Sequence, residues 1–268
     1  MFISVSRQAL FGGRAAVGLC ALLLAFAVPP TEGLAQSENA AGCTGCPELV
    51  PLPSGPYIGK YLVTVDEFAA FVEATGHETD DRCTQITTSP MEHFGNWRDP
   101  GFQQEGNHPV VCVSWLDATA YVDWLSDTTG EPFRLPTIEE SQEAAAAGSQ
   151  ATYFWGEDVS QVCRYANVAD VNFKAAFPDD PRQIPTCDDG YTYTSPVDAF
   201  PPNALGVHDA IGNVWQWTNS CLAGDCANAV FRGGGWTVPN PKYFALDGTF
   251  GDRVVLRNTV IGFRVLRD

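Results

Sequence analysis

A chain of 268 residues with 15 Lys and Arg against 32 Asp and Glu carries a formal charge of −17. That excess argues against nucleic acid and against anionic membrane surfaces as partners. It suits an exported protein and favours bound divalent cations, and it serves plain solubility equally well.

The first residues read as an export signal. Arg7 and Arg14 supply positive charge, residues 15–28 form an apolar and small-residue run, and Gly33-Leu34-Ala35 has small residues where a signal peptidase cuts. The run is too short to span a bilayer comfortably. The sequence therefore predicts a signal peptide over 1–35 and a secreted or periplasmic chain over 36–268, with an uncleaved anchor as the alternative. A lipoprotein through Cys43 is disfavoured, because Cys43 lies far beyond the apolar run. Without Arg7, Arg14 and Glu32 the charge of −17 becomes −18. The remaining length suffices for one well-cored domain. No membrane partner is expected once the signal is removed.

Residues 37–42 are small and polar and read as a frayed start. Residues 48–63, broken by Pro51, Pro53, Gly55 and Pro56, predict short strands and turns. Thr64 and Glu67 form a capping box for a helix with Val65, Phe68, Ala69, Phe71 and Val72 on one face and Gly76 at its end. Residues 77–107 are irregular. Residues 110–113 predict a buried strand, and Ser114 with Asp117 opens a second helix ending at Gly130. Thr137 and Glu140 make a further capping box for a helix stopped by Gly148. From Tyr153 onward there is no strong helical period. The pattern is α+β with much irregular chain and no composition break, hence a single domain.

Eight cysteines follow the signal. In an exported chain an even count reads as disulfides, and their spacing favours neighbours. Cys221–Cys226, Cys163–Cys187 and Cys83–Cys112 are the expected pairs. Cys43 and Cys46 form either a local bridge or a redox CxxC, the structural bridge being favoured because no basic residue or imidazole lies close in sequence. A zinc site is not expected, since Cys221 and Cys226 have four residues between them and no His nearby. His77, His93, His108 and His208 show no HxxxH or HExxH spacing. Gly233-Gly234-Gly235 lacks the following Lys-Ser/Thr of a phosphate loop and reads as structural.

Several segments in order carry a resemblance. They are Tyr61-Leu62-Val63-Thr64 after Lys60, the stretch 108–115, Phe133-Arg134-Leu135-Pro136-Thr137, the stretch 196–203, Gly212-Asn213-Val214-Trp215-Gln216-Trp217, Phe231-Arg232-Gly233-Gly234-Gly235-Trp236 and Gly262-Phe263-Arg264-Val265. Together they resemble the formylglycine-generating enzyme, or sulfatase-modifying factor, superfamily. The resemblance implies an elaborated C-type-lectin-like fold whose irregular chain is tied down by calcium. It places a first calcium site on Asn167, Val168, Asp189 and Tyr191. It places a second on Asp209, Gly212, Val214 and Gln216, where Asp stands for the family's Asn and Gln for its Glu. Hard oxygen donors from irregular backbone are what calcium takes. Local turn chemistry at Asn167 and Asp209 is the alternative.

The resemblance also implies a cysteine pair that binds copper and activates oxygen. Those positions hold Val238 and Tyr243, and neither can replace the soft thiolates that copper(I) selects. Copper is therefore not expected, and no catalytic residue is assigned. Trp215, Trp217 and Trp236 are read as core anchors, with a ligand platform as the alternative. Trp236, Val238 and Tyr243 mark a possible groove, rimmed by Asp247, Asp252, Arg253 and Arg257. Two functions remain. One is an accessory or ligand-binding module for a peptide, protein or glycan; the other is a divergent oxidase of the superfamily acting on a peptide or protein.

Overall fold

The computed structural model describes residues 38–39, 46–84, 95–245 and 248–268. The predicted signal peptide, Cys43, His93 and Asp247 lie outside the described residues. Short strands come first because prolines interrupt the ladder. β1 (Glu38–Asn39), β2 (Glu48–Pro51) and β3 (Tyr57–Gly59) pair antiparallel in succession.

The three main helices begin at the caps read from the sequence. Thr64 Oγ1 accepts the Glu67 N–H at 3.2 Å, Glu67 Oε2 accepts the Thr64 N–H at 2.8 Å, and α1 (Val65–Thr75) ends at a left-handed Gly76. Ser114 and Asp117 cap α2 (Trp115–Thr129) in the same reciprocal way, and Gly130 closes it. After β4 (Phe133–Arg134), Thr137 and Glu140 cap α3 (Ile138–Ala146). Here the left-handed cap is Ala147, at φ 49°, one residue before the expected Gly148.

Two expectations need correction. Residues 110–113 are fully buried but form no strand. The Val110 N–H goes to Val63 O and the Cys112 N–H to Asn258 O, so the segment threads between two neighbours. Cys112 turns to φ 60°, and its disulfide to Cys83 holds it there. Second, helix does occur after Tyr153, as α4 (Val162–Tyr165) and α5 (Val171–Ala176). Both are too short to leave a period in the sequence; α5 owes its start to Asp170, which accepts the N–H groups of Asn172 and Phe173.

A long hairpin follows, β5 (Trp215–Leu222) and β6 (Asp225–Arg232), flanked by β7 (Thr249–Arg253) on β6 and by β8 (Ile261–Phe263) running parallel to β5. The chain ends in β9 (Leu266–Arg267), which lies between β3 and β4 and so ties the C-terminus into the first sheet. Two sheets and a helical layer make the α+β arrangement. The main core packs Phe68, Phe71, Tyr121, Trp217, Trp236 and Phe263, all at most 2% exposed. The described residues from 38 onward form one compact unit.

Asp117 ties the edge of this core together. Its carboxylate accepts from Ser114 N at 2.8 Å, from His77 Nε2 at 2.9 Å and from Arg257 Nη2 at 2.8 Å. Burial alone would raise its pKa, but these bonds outweigh burial and hold it below the usual 3.8. Its stability contribution is therefore complete above 3.8 and is lost as pH falls through the lower folded value. Asp117→Asn should cost about 1–3 kcal/mol at neutral pH. It should also flatten the acid limb of a melting-temperature profile, read by circular dichroism below about pH 4.

Candidate functional site

Irregular chain between α4 and β5 folds back on itself through buried side-chain oxygens. Gly212 permits the closest approach: at φ +83°, its Cβ position lies only 2.7 Å from Asn167 O. Any side chain there would separate the two segments.

The first predicted cation cluster assembles at this crossing. Asn167 and Val168 are fully buried, and Asp189 is half-buried. The Asp189 carboxylate accepts the Val168 N–H at 2.7 Å and the Tyr191 N–H at 2.9 Å. Burial drives its pKa up to about 7 against these two bonds, and the charges of Asp170 and Asp188 add to the rise. Asn167 Nδ2 donates to Tyr193 O at 2.7 Å, while Asn167 Oδ1 is buried with no hydrogen-bond partner. Among the described residues, one group of three ligating side chains comes together, Cys163, Asp170 and Asp189. Cys163 is bonded to Cys187, so its sulfur is no thiolate and the donors left are oxygens.

The second cluster is fully enclosed. Asp209 Oδ2 accepts from Asn213 Nδ2 at 2.9 Å, and Asp209 Oδ1 is buried without a partner. Burial lifts Asp209 to about 7, with the Asn213 bond and Arg264 pulling the other way. Gln216 Nε2 donates to Asp209 O at 2.9 Å, and Gln216 Oε1 accepts Arg264 Nε at 3.1 Å. Arg264, itself drawn down to about 10 by burial, also donates to the carbonyls of Gly59, Lys60, His208 and Asp209. Parallel pairing of β5 with β8 sets Gln216 opposite Gly262, which carries Arg264 into place two residues on.

The residues fit calcium in kind. Each cluster holds a carboxylate and offers an enclosed oxygen with no protein donor, the kind of atom that a bound cation or an ordered water satisfies. The first cluster fits better, because Gln216 in the second already accepts from a guanidinium.

A groove of about 730 Å³ opens beside the second sheet. Val238 and Tyr243 line it, as do Trp215, Phe250 and the 182–185 segment, but Trp236 does not. Trp236 is 0% exposed and donates its indole N–H to Thr259 O at 3.2 Å, so it is core. Trp217 is likewise enclosed, donating to Val113 O at 3.1 Å. Arg182, which donates to Thr237 O at 2.8 Å, is the only charged lining residue among the described residues. Asp252, Arg253 and Arg257 do not line the groove, and Arg257 is engaged with Asp117. Among the described residues the wall carries no thiol, imidazole or carboxylate. Its edge-on rings, Trp215 to Phe250 at 5.1 Å and Tyr243 to Phe250 at 5.0 Å, suit apolar or planar groups held by van der Waals contact.

The three expected disulfides form, Cys83–Cys112, Cys163–Cys187 and Cys221–Cys226. Cys46 is disulfide-bonded too. His77, His108 and His208 each bond separate partners, Asp117, Thr194 and Phe200 O. Sequence reasoning missed Asp170, Asn213 and the 182–185 wall. Asn213 left one signal, its place after Gly212 in a turn; at φ 60° it adopts the left-handed backbone that Asn tolerates.

The Sulfatase-modifying factor enzyme 1-like domain matches residues 36–268. The chain belongs to this family. Within it, the formylglycine-generating enzyme of Thermomonospora curvata is 34% identical over 189 residues, covering 60% of this chain and 58% of that protein. The inactive C-alpha-formylglycine-generating enzyme 2 of Bos taurus is also 34% identical, over 193 residues, covering 66% of this chain and 58% of that protein. The identity is thus the same to a relative named as a generator and to one named as inactive. The chain spans about half the length of the curated relatives it matches. The structure of PvdO from Pseudomonas aeruginosa aligns with a TM-score of 0.71 at 27% identity, covering 87% of this chain and 98% of that one. The fold is thus the C-type-lectin-like fold of the sulfatase-modifying factor family.

Proposed function

We propose that this sulfatase-modifying-factor-like domain is an exported accessory or ligand-binding module. It holds calcium at the two buried clusters and presents the Val238–Tyr243 groove to a peptide, protein or glycan. The carrying observation is that both positions where the family's cysteine pair would stand line this groove and hold Val and Tyr. The seven described cysteines are all disulfide-bonded, so none supplies a thiol to it. Export is supported by those disulfides. Among the described residues no helix is long and apolar enough to cross a membrane.

When bound, calcium would supply fixed positive charge and cross-link irregular chain; in this reading it takes no part in chemistry. Asn167, Val168, Asp189 and Tyr191 would hold one ion, and Asp209, Gly212, Val214 and Gln216 the other. Arg182 and the groove rings would bind and orient the ligand.

Restoring the thiols tests the groove assignment. The double variant Val238→Cys, Tyr243→Cys should retain copper(I) against a competing chelator, and the parent should not. Retention by the parent would contradict the reading, as would free thiols found by titrating the unreduced, denatured protein. The alternative, a divergent oxidase acting on a peptide or protein, draws support from the relatives named formylglycine-generating enzymes. It needs an oxygen-activating group other than a groove thiol pair.

A further inference from the structure

Asn213 is fully buried and lies between the two cation clusters. Its side-chain orientation follows from its neighbours. Nδ2 faces two pure acceptors, Ser195 O at 3.1 Å and Asp209 Oδ2 at 2.9 Å, while Oδ1 faces the Ser195 N–H at 3.0 Å. Flipping this amide would set oxygen against oxygen. Asn213 Oδ1 also lies 3.4 Å from Asn167 Nδ2, whose amide is oriented by Tyr193 O. One side chain therefore touches a predicted ligand side chain of each cluster. In both of those side chains the oxygen turned away, Asn167 Oδ1 and Asp209 Oδ1, is the buried atom with no partner.

We infer that Asn213 couples the two cation sites, so that calcium at one strengthens calcium at the other. The inference rests on the calcium reading above. A cation on Asn167 Oδ1 fixes that amide with Nδ2 toward Asn213. Asn213 is then held with its own Nδ2 on Asp209 Oδ2, which leaves Asp209 Oδ1 free for the second ion. Ser195 and Tyr193 already set the direction of these amides; the ion that binds first holds them more tightly, and the second binds to the held site. Repulsion between the two ions opposes the effect, and the titration reads the net of the two. By linkage the effect is reciprocal.

Asn213 is a positioning residue, and calcium binding to the folded chain, measured by titration calorimetry, separates its role from simple structure. Glycine adopts φ 60° freely, so Asn213→Gly keeps the backbone and deletes the amide that joins the clusters, together with its bonds to Ser195. Asp189→Asn removes the first site and leaves the second to be read alone. With Asn213 present, Asp189→Asn should weaken the remaining site about tenfold, within the usual range of site coupling. In the Asn213→Gly background the same change should weaken it no more than about twofold. Should circular dichroism show Asn213→Gly unfolded, Asn213→Ala serves instead, since this chain already holds Ala147 and Ala223 in the same left-handed region and Ala adds neither donor nor charge. Equal weakening in both backgrounds, or none with Asn213 present, would overturn the coupling while the calcium heats stand. No calcium heat from the parent protein would overturn the calcium reading and the coupling together.

Discussion

Arg264→Ala is expected to cost about 3–5 kcal/mol, because it removes the partner of buried acceptors and the protein cation that offsets the enclosed Asp209. Arg264 is 2% exposed and donates to Gly59 O at 2.7 Å, Lys60 O at 3.1 Å, His208 O at 2.7 Å, Asp209 O at 3.2 Å and Gln216 Oε1 at 3.1 Å. Those acceptors come from the end of β3 with the residue after it, and, far along the chain, from the 208–209 loop and β5. No apolar replacement can satisfy them, and lysine offers a single nitrogen where the guanidinium spreads its donors in a plane. For a domain of this size the loss corresponds to about 6–20 °C in melting temperature. Arg264→Lys should recover only part of it. A melting temperature within a degree or two of the parent for Arg264→Ala would mean that this guanidinium does not organise the second cluster.

Removing calcium is expected to act on the same scale. An ion present at a hundredfold excess over its dissociation constant stabilises by about 2.7 kcal/mol, so two sites together give about 5 kcal/mol. Chelation should then lower the melting temperature by about 10–20 °C, and excess calcium should restore it. Asp189→Asn should remove roughly half of the calcium-dependent part. The physical reason is the pair of enclosed oxygens, Asn167 Oδ1 and Asp209 Oδ1, that no protein donor reaches. A melting temperature indifferent to chelator would remove calcium from both clusters.

Much of the fold was legible because its signals are local. The capping boxes at Thr64, Ser114 and Thr137 act within four residues, and each opens the helix expected of it. The disulfide pairs were readable because each joins successive cysteines, although Cys83–Cys112 and Cys163–Cys187 span 29 and 24 residues. The segment 110–113 misled because apolar composition reports burial and not ladder pairing; its hydrogen bonds run to Val63 and Asn258, far away in the chain. The short helices α4 and α5 left no period, and α5 depends on one Asp cap.

The candidate site was legible to the extent that ordered motifs carry it. Asn167, Asp189, Asp209 and Gln216 are named by resemblance, and the chain does bring them into two polar clusters. What joins those clusters was not legible. Asn213 is one amide in a turn until its four contacts are known, and Arg264 is one cation in a β-rich tail until its carbonyl partners converge. The groove shows the opposite limit. Trp236 belongs to the most specific motif yet lies in the core, whereas Arg182 and Pro185, in an unremarked loop, form the wall.

The central claim is that this family member presents a groove without copper–thiol oxidase chemistry. The direct test incubates the purified chain, supplied with copper(I), oxygen and a reductant, with a sulfatase-type peptide containing one cysteine, and follows the peptide by mass spectrometry. The cysteine should remain intact at every time point, while a formylglycine-generating enzyme run in parallel converts it. Appearance of the aldehyde mass with this chain, lost when Tyr243 or Val238 is altered, would contradict the account.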